Sequence, residues 1–254
     1  MKVLFLFFLL LFFGVFSLRG EVFRIGGTDF AYRIPKHFSK SAGIMVLFGG
    51  RNWDGGKTLR KYRFEELADK HGLFLLSPSF RADRYWEPES GSGAVLEKAV
   101  AHLEKRFGLG RKNLYLYGYS AGGQCANLFY AYMPDRVAAW GAHACGVYFR
   151  KTVRNPAPAL ITCGTEDRER FEISRNFLYS YRESGGELLW KYDSGGHELT
   201  EKNLELARAW FDALLSGERG REKGEDDTGQ VGNGIEREFQ NPLYNRKIRD
   251  LWKQ

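Results

Sequence analysis

A succession of short, unbroken apolar runs alternating with amphipathic segments most limits the folds open to this chain. Residues 43–48, 73–77, 113–117, 137–141, 159–163 and 187–192 read as strands, several of them continuous apolar runs of the kind buried on both faces. Between them, residues 59–71, 94–107, 121–133, 170–183 and 201–215 read as helices. Val95, Ala99 and Leu103 recur at helical spacing in one, and Leu204, Ala207, Phe211 and Leu214 in another. A strand buried on both faces needs helices above and below it, and parallel neighbours need a crossover between them. The spacing therefore predicts an α/β fold: a mostly parallel central sheet with helices on both faces. Residues 22–25 and 30–34, separated by Gly26, Gly27 and Asp29, predict an antiparallel hairpin ahead of that sheet.

The first twenty residues stand outside this pattern. Lys2 gives a positive start, residues 3–16 are apolar, and the small residues Ser17 and Gly20 follow. That is the layout of a secretory signal, with cleavage after residue 17 or after residue 20. The run is shorter than the roughly 20 residues of a spanning helix, and an uncleaved anchor is the alternative. The expectation is a secreted or periplasmic protein with no stable membrane partner once the signal is removed. Residues 21–216 are long enough to form one domain with a sizeable core. Residues 217–254 read as a polar, partly flexible tail, because the Gly, Glu, Lys, Arg and Asp of its first half give little to bury. Leu243, Tyr244, Ile248, Leu251 and Trp252 are its candidates for docking back.

The formal net charge of +7 comes from scattered basic residues that alternate with acids beyond Arg219. No Lys or Arg run resembles a nucleic-acid footprint, so a basic soluble surface is expected and nucleic acid is not a partner. Three cysteines, Cys125, Cys145 and Cys163, leave an odd thiol in any pairing. Cys145 and Cys163 follow or end consecutive strands and are either bridged or buried as small hydrophobes. No C-x-x-C is present, and neither a metal nor a cofactor is implied.

The chemistry concentrates in Gly118-Tyr119-Ser120-Ala121-Gly122, a G-x-S-x-G set between a strand and a helix. A sharp strand-to-helix turn lifts the serine hydroxyl above the sheet edge, at a helix N-terminus that favours developing negative charge. A serine is a weak nucleophile and needs a base within hydrogen-bond reach, itself oriented by a third group. On such turns the chain order is serine, acid, histidine. Asp167 follows the strand at 159–163, and His197 follows Gly195 and Gly196 after the next strand. Glu166 and Asp193 compete with Asp167 as the acid. Only His143 and His197 of the five histidines come after Ser120, and His143 is either a rival base or a buried or pocket histidine. The amides of Ala121 and Gly50, the latter after the strand at 43–48, are the candidates for an oxyanion hole. Arg51, Trp53, Trp86 and His143 are candidates for substrate contact, with local packing as the alternative for the two tryptophans.

These motifs resemble the α/β-hydrolase superfamily over residues 30–215. Within it, GYSAGGQCANLFYAYMPDRVAAWGAHACG, GTEDRERF and SGGHEL are similar to small secreted esterases of the polyhydroxybutyrate depolymerase and feruloyl esterase type. That family usually carries a histidine before the oxyanion glycine, where this chain has Phe48. The resemblance implies ester hydrolysis through an acyl-enzyme: Ser120 as nucleophile, His197 as base, Asp167 as its partner, and a small-molecule or polymeric ester as substrate. The competing readings are a serine peptidase of the prolyl-oligopeptidase type and a non-catalytic binding protein with a hydrolase fold.

Overall fold

The structure is a computed structural model and describes residues 21–111, 113–149, 153–218, 220, 222–232 and 234–254. The segment read as a secretory signal lies outside them. Eight strands form the main sheet: β1 (Glu21–Ile25), β2 (Thr28–Arg33), β3 (Ile44–Phe48), β4 (Phe74–Pro78), β5 (Leu114–Tyr119), β6 (Val137–His143), β7 (Ala159–Gly164) and β8 (Leu188–Asp193). Their spatial order is β1-β2-β4-β3-β5-β6-β7-β8. The strands from β4 to β8 run parallel, while β1–β2 and β2–β4 are antiparallel pairs. This is the mostly parallel sheet with a leading antiparallel hairpin that the apolar runs predict.

Alternation along each strand divides the core. Ile44, Val46 and Phe48 pack on one side of the sheet with Leu96, Val100, Leu103, Ala126 and Phe129 of helices α3 (Ser92–Arg106) and α4 (Ala121–Tyr132). Helix α5 (Arg168–Glu183) completes this layer with Leu178 and Tyr181. Met45 and Leu47 point the other way, into Leu59, Tyr62, Leu67 and Phe211 of helices α1 (Gly55–Tyr62), α2 (Glu65–His71) and α6 (Glu201–Leu215). The period of two in β3 thus feeds both layers.

The chain leaves β3 for β4 on one side and returns to β5 on the other. The carboxyl ends of β3 and β5 therefore flank the point where the winding reverses, where open parallel sheets leave a crevice.

Two segments differ from their sequence reading. Residues 59–71 are expected as one helix but form two. The Asp54 side chain accepts from the Lys57 amide and starts α1 earlier, at Gly55. Arg63 turns left-handed at φ 56°, and the break drops Phe64 into the core against Tyr117 and Phe211. Burying an aromatic ring outweighs the left-handed cost at Arg63. The polar stretch after Ser216, expected as partly flexible, carries strand β9 (Glu222–Glu225). It pairs antiparallel with β10 (Gln240–Leu243), and helix α7 (Arg246–Lys253) follows. Leu243, Tyr244, Ile248 and Trp252 are buried with the α6 layer, and Trp252 donates its indole N–H to the Trp190 carbonyl at 2.8 Å.

Candidate active site

Ser120 stands between β5 and α4 with φ 58° and ψ −122°. A non-glycine residue held there stores strain, of order 1–3 kcal/mol. Its surroundings impose the turn. The Ser120 amide donates to the His143 carbonyl at 2.9 Å, and the Ser120 carbonyl accepts from Gln124 at 3.1 Å. Gly122 lets α4 pass under the β3 loop: a Cβ there would lie 2.1 Å from the Phe48 carbonyl oxygen.

The turn delivers the hydroxyl to His197, whose Nε2 is 2.8 Å from Ser120 Oγ. On the far side of the ring, Nδ1 is 2.6 Å from Asp167 Oδ2. Asp167 sits just ahead of α5, its side chain 6% exposed. The loops that carry the acid and the histidine meet closely. The Glu166 amide donates to the Gly195 carbonyl at 3.0 Å, and a Cβ on Gly164 would fall 2.1 Å from that same oxygen. The histidine loop is also held by the Tyr119 hydroxyl, which donates to the His197 carbonyl at 2.9 Å. Burial, and then the Asp167 charge, raise the Tyr119 phenol above its ordinary range and keep it a donor.

Geometry separates the rival acids. Glu166 points to solvent. Asp193 is occupied within its own loop, accepting from the Gly195 amide at 2.8 Å and from Asn203 Nδ2 at 3.0 Å. The His143 backbone holds the Ser120 turn, but its imidazole is buried, bonds to groups other than Ser120 and does not line the cavity beside the serine, so its side chain is not placed as a substrate contact. Its Nε2 donates to the Glu198 carbonyl at 2.6 Å, which leaves Nδ1 to accept from the Thr162 hydroxyl at 2.7 Å. Burial pushes its pKa down to about 4, so it is neutral at pH 7.

Gly50 lies just beyond the carboxyl end of β3 and Ala121 opens α4 just beyond β5, the two strands that flank the switch point. Among the described residues, neither backbone N–H has an acceptor. The pair is therefore free to bind an oxyanion. Gly50 is pressed against the Tyr119 ring, where a Cβ would sit at 3.1 Å.

A cavity of about 340 Å³ opens beside the serine, lined by Ser120, Ala121, Arg51, Trp86, Gln124 and Arg170 among others. It contains two of the four residues read as substrate contacts. Trp53 is placed elsewhere: it packs on Tyr62 and Tyr119 with ring centroids at 6.3 and 5.9 Å, and carries the Lys57 ammonium 4.6 Å from its own centroid. It backs the Gly50 turn from behind. Arg170 was not singled out by the sequence. It donates to Asp167 Oδ1 at 2.9 Å, the oxygen that His197 does not use. The signal for it is its place three residues after the acid at the start of a helix. Cys125, Cys145 and Cys163 are buried free thiols, with Cys145 and Cys163 pushed up to about 12 by burial.

No family model and no curated protein matches the sequence. Solved structures match the fold. A hyperthermophilic esterase from the archaeon Pyrobaculum calidifontis superposes with a TM-score of 0.60 at 16% identity, over 78% of this chain and 85% of that one. The Staphylococcus aureus fluorophosphonate-binding serine hydrolase FphF superposes with a TM-score of 0.54 at 13% identity, over 75% and 91%. A thermostable esterase gives 0.58 at 16% identity over 70% of this chain, which spans only 55% of that protein's length. Strand order, the leading antiparallel pair and these superpositions together show that the chain has the α/β-hydrolase fold.

Proposed function

We propose that this protein is a serine esterase that cleaves carboxylic esters through an acyl-enzyme. The observation that carries the reading is the unbroken relay from Ser120 Oγ to His197 Nε2, at 2.8 Å, and from His197 Nδ1 to Asp167 Oδ2, at 2.6 Å. His197 takes the hydroxyl proton as Ser120 Oγ attacks the ester carbonyl. Asp167 holds the imidazole in the Nδ1–H tautomer and stabilises the imidazolium. The Gly50 and Ala121 amides receive the oxyanion of the tetrahedral intermediate. The imidazolium then protonates the leaving alkoxide, the C–O bond breaks, and His197 activates a water that releases the acid.

The finer reading is an extracytoplasmic esterase of polymer- or carbohydrate-linked esters, of the polyhydroxybutyrate depolymerase and feruloyl esterase type. Its support is the leader-like composition of residues 1–20, the motifs around Ser120, Asp167 and His197, and an aromatic wall, Trp86, beside an open cavity. Among the described residues no helix is long and apolar enough to cross a membrane.

The test is turnover of 4-nitrophenyl acetate, 4-nitrophenyl butyrate and methyl ferulate by wild type and Ser120→Ala, with fluorophosphonate labelling alongside. Ser120→Ala is expected to lose on the order of 10⁴ or more in kcat and all labelling. A variant that keeps the wild-type rate on an aryl ester sinks the proposal.

A further inference from the structure

The cavity beside Ser120 has a cation at one end with nothing to neutralise it. Arg51 directly follows Gly50, is exposed, and lies 5.8 Å from the Trp86 ring centroid. Among the described residues its guanidinium has neither a carboxylate nor a carbonyl partner. Arg81 stands nearby, giving a hydrogen bond to the Asn52 carbonyl at 2.8 Å and likewise meeting no carboxylate. Burial raises the Tyr85 phenol, and the charges of both Arg51 and Arg81 oppose that rise, so the two guanidiniums bear on the same hydroxyl. The other cations of this rim are matched: Arg84 by Glu87, and Arg170 by Asp167.

Two further features orient a ligand here. Glu169 is the one acid in the lining and enters from α5, so it repels an anion from that side and favours the Arg51 side. A neighbouring cavity of about 550 Å³ shares Gly146 and Val147 with this one but is lined by Tyr148, Phe149, Phe177 and other uncharged residues. Among the described residues, none that lines it is charged. The Ser120 cavity is lined by Ser120 and by Ala121, a candidate oxyanion donor, so an acyl group whose carbonyl is held by these two can extend into it toward Arg51.

We propose that the acyl group cleaved by this protein carries a carboxylate, bound by Arg51 beside Trp86; the inference rests on the serine esterase reading. A guanidinium held over an aromatic ring keeps its planar fork available for two parallel N–H···O bonds to a carboxylate, and an unpaired one need not break an existing ion pair to do so.

The experiment compares two aryl esters of equal chain length, 4-nitrophenyl hydrogen adipate and 4-nitrophenyl hexanoate, with wild type, Arg51→Gln and Arg51→Lys, alongside fluorophosphonate labelling. Wild type is expected to favour the hemiester in kcat/KM by about tenfold, as a charge-assisted hydrogen bond supplies. That preference should shrink with added salt. Arg51→Gln should bring the ratio to about one, and Arg51→Lys should retain part of it, because an ammonium lacks the fork. Hexanoate hydrolysis with no preference for the hemiester overturns this inference alone, as does a preference unchanged in Arg51→Gln. Absence of labelling and of turnover on both esters overturns the esterase reading and this inference with it.

Discussion

Single residues at the site do work that only their exact neighbours explain. Gly122 has an ordinary helical place in α4, yet its missing Cβ is what allows the Phe48 and Gly49 carbonyl oxygens to come within 2.1 and 2.5 Å of that position. Gly122→Ala must therefore push the β3 loop, and the Gly50 amide with it, away from Ser120. Displacements of this size at a reacting centre cost about 10² in rate. The expected result is a loss of about that size in kcat/KM on 4-nitrophenyl butyrate, in protein whose circular dichroism remains native. Native rates would mean that Gly50 is not an oxyanion donor. Ser120, Asp167 and His197 were legible from the sequence because each sits in a glycine-marked loop after a strand, in the order such turns require. Arg51 and Trp86 were legible as pocket residues, but Trp53, an equally plausible aromatic, packs behind the turn. No local feature distinguishes the two tryptophans.

At the scale of elements, the junction between α5 and the C-terminal β9–β10 pair depends on one buried cation. Arg182 on α5 donates to Asp226 Oδ2 at 2.6 Å, to the Glu238 carbonyl at 2.7 Å, to the Leu188 carbonyl at 3.0 Å and to Asn241 Oδ1 at 3.1 Å. Both ion-pair side chains are 2% exposed. Burial raises the Asp226 carboxyl above its ordinary range, and the Arg182 contact opposes that rise. Removing one partner strands the other in a dry site, and such losses run to about 3–5 kcal/mol. Asp226→Ala and Arg182→Met are each expected to lower the urea midpoint accordingly. The double variant Arg182→Met with Asp226→Leu should recover much of the loss, because an apolar pair needs no desolvation. Additive losses in the double variant would contradict a coupled pair. Composition suggested a solvated tail here for a definite reason: Asp226 lies among acids and bases that look alike in sequence, and its partner is 44 residues away.

For the whole molecule, the buried His143 makes stability depend on acid. The unfolded chain takes up a proton near pH 6.5, while the native imidazole does so only near 4. Between those values the unfolded state binds more protons, so stability is full above about pH 6.5 and falls as pH drops toward about 4. The gap corresponds to roughly 3 kcal/mol. Below pH 4 the His143 contribution is constant. At Asp69 and Asp212 burial opposes ionisation, but Arg33 with Lys36, and Lys70 with His71, outweigh it. Their contribution is lost only below the ordinary carboxyl value of 3.8, outside the His143 window. Urea unfolding of wild type and His143→Gln at pH 7, 5.5 and 4.5 checks this. The variant should start less stable and lose much less on acidification, and parallel slopes would rule out a neutral buried His143.

The sequence by itself determined what short-range physics can encode. Apolar runs named the strands of the main sheet to within a few residues, helical spacing named most of the helices, and turn chemistry marked the three loops at which Ser120, Asp167 and His197 converge. These signals are read within one turn or one strand, and the backbone obeys them before distant parts of the chain meet. Tertiary structure decided what depends on long-range approach. It broke the segment at 59–71 because Phe64 had a core to enter, and chose Asp167 over Glu166 and Asp193 by burial and reach. It sealed His143 beneath Thr162 and Glu198, left Arg51 unpaired beside the serine, and matched Arg182 to an aspartate in the tail. Each of these outcomes depends on which groups share a desolvated space, and no periodicity in the chain carries that information.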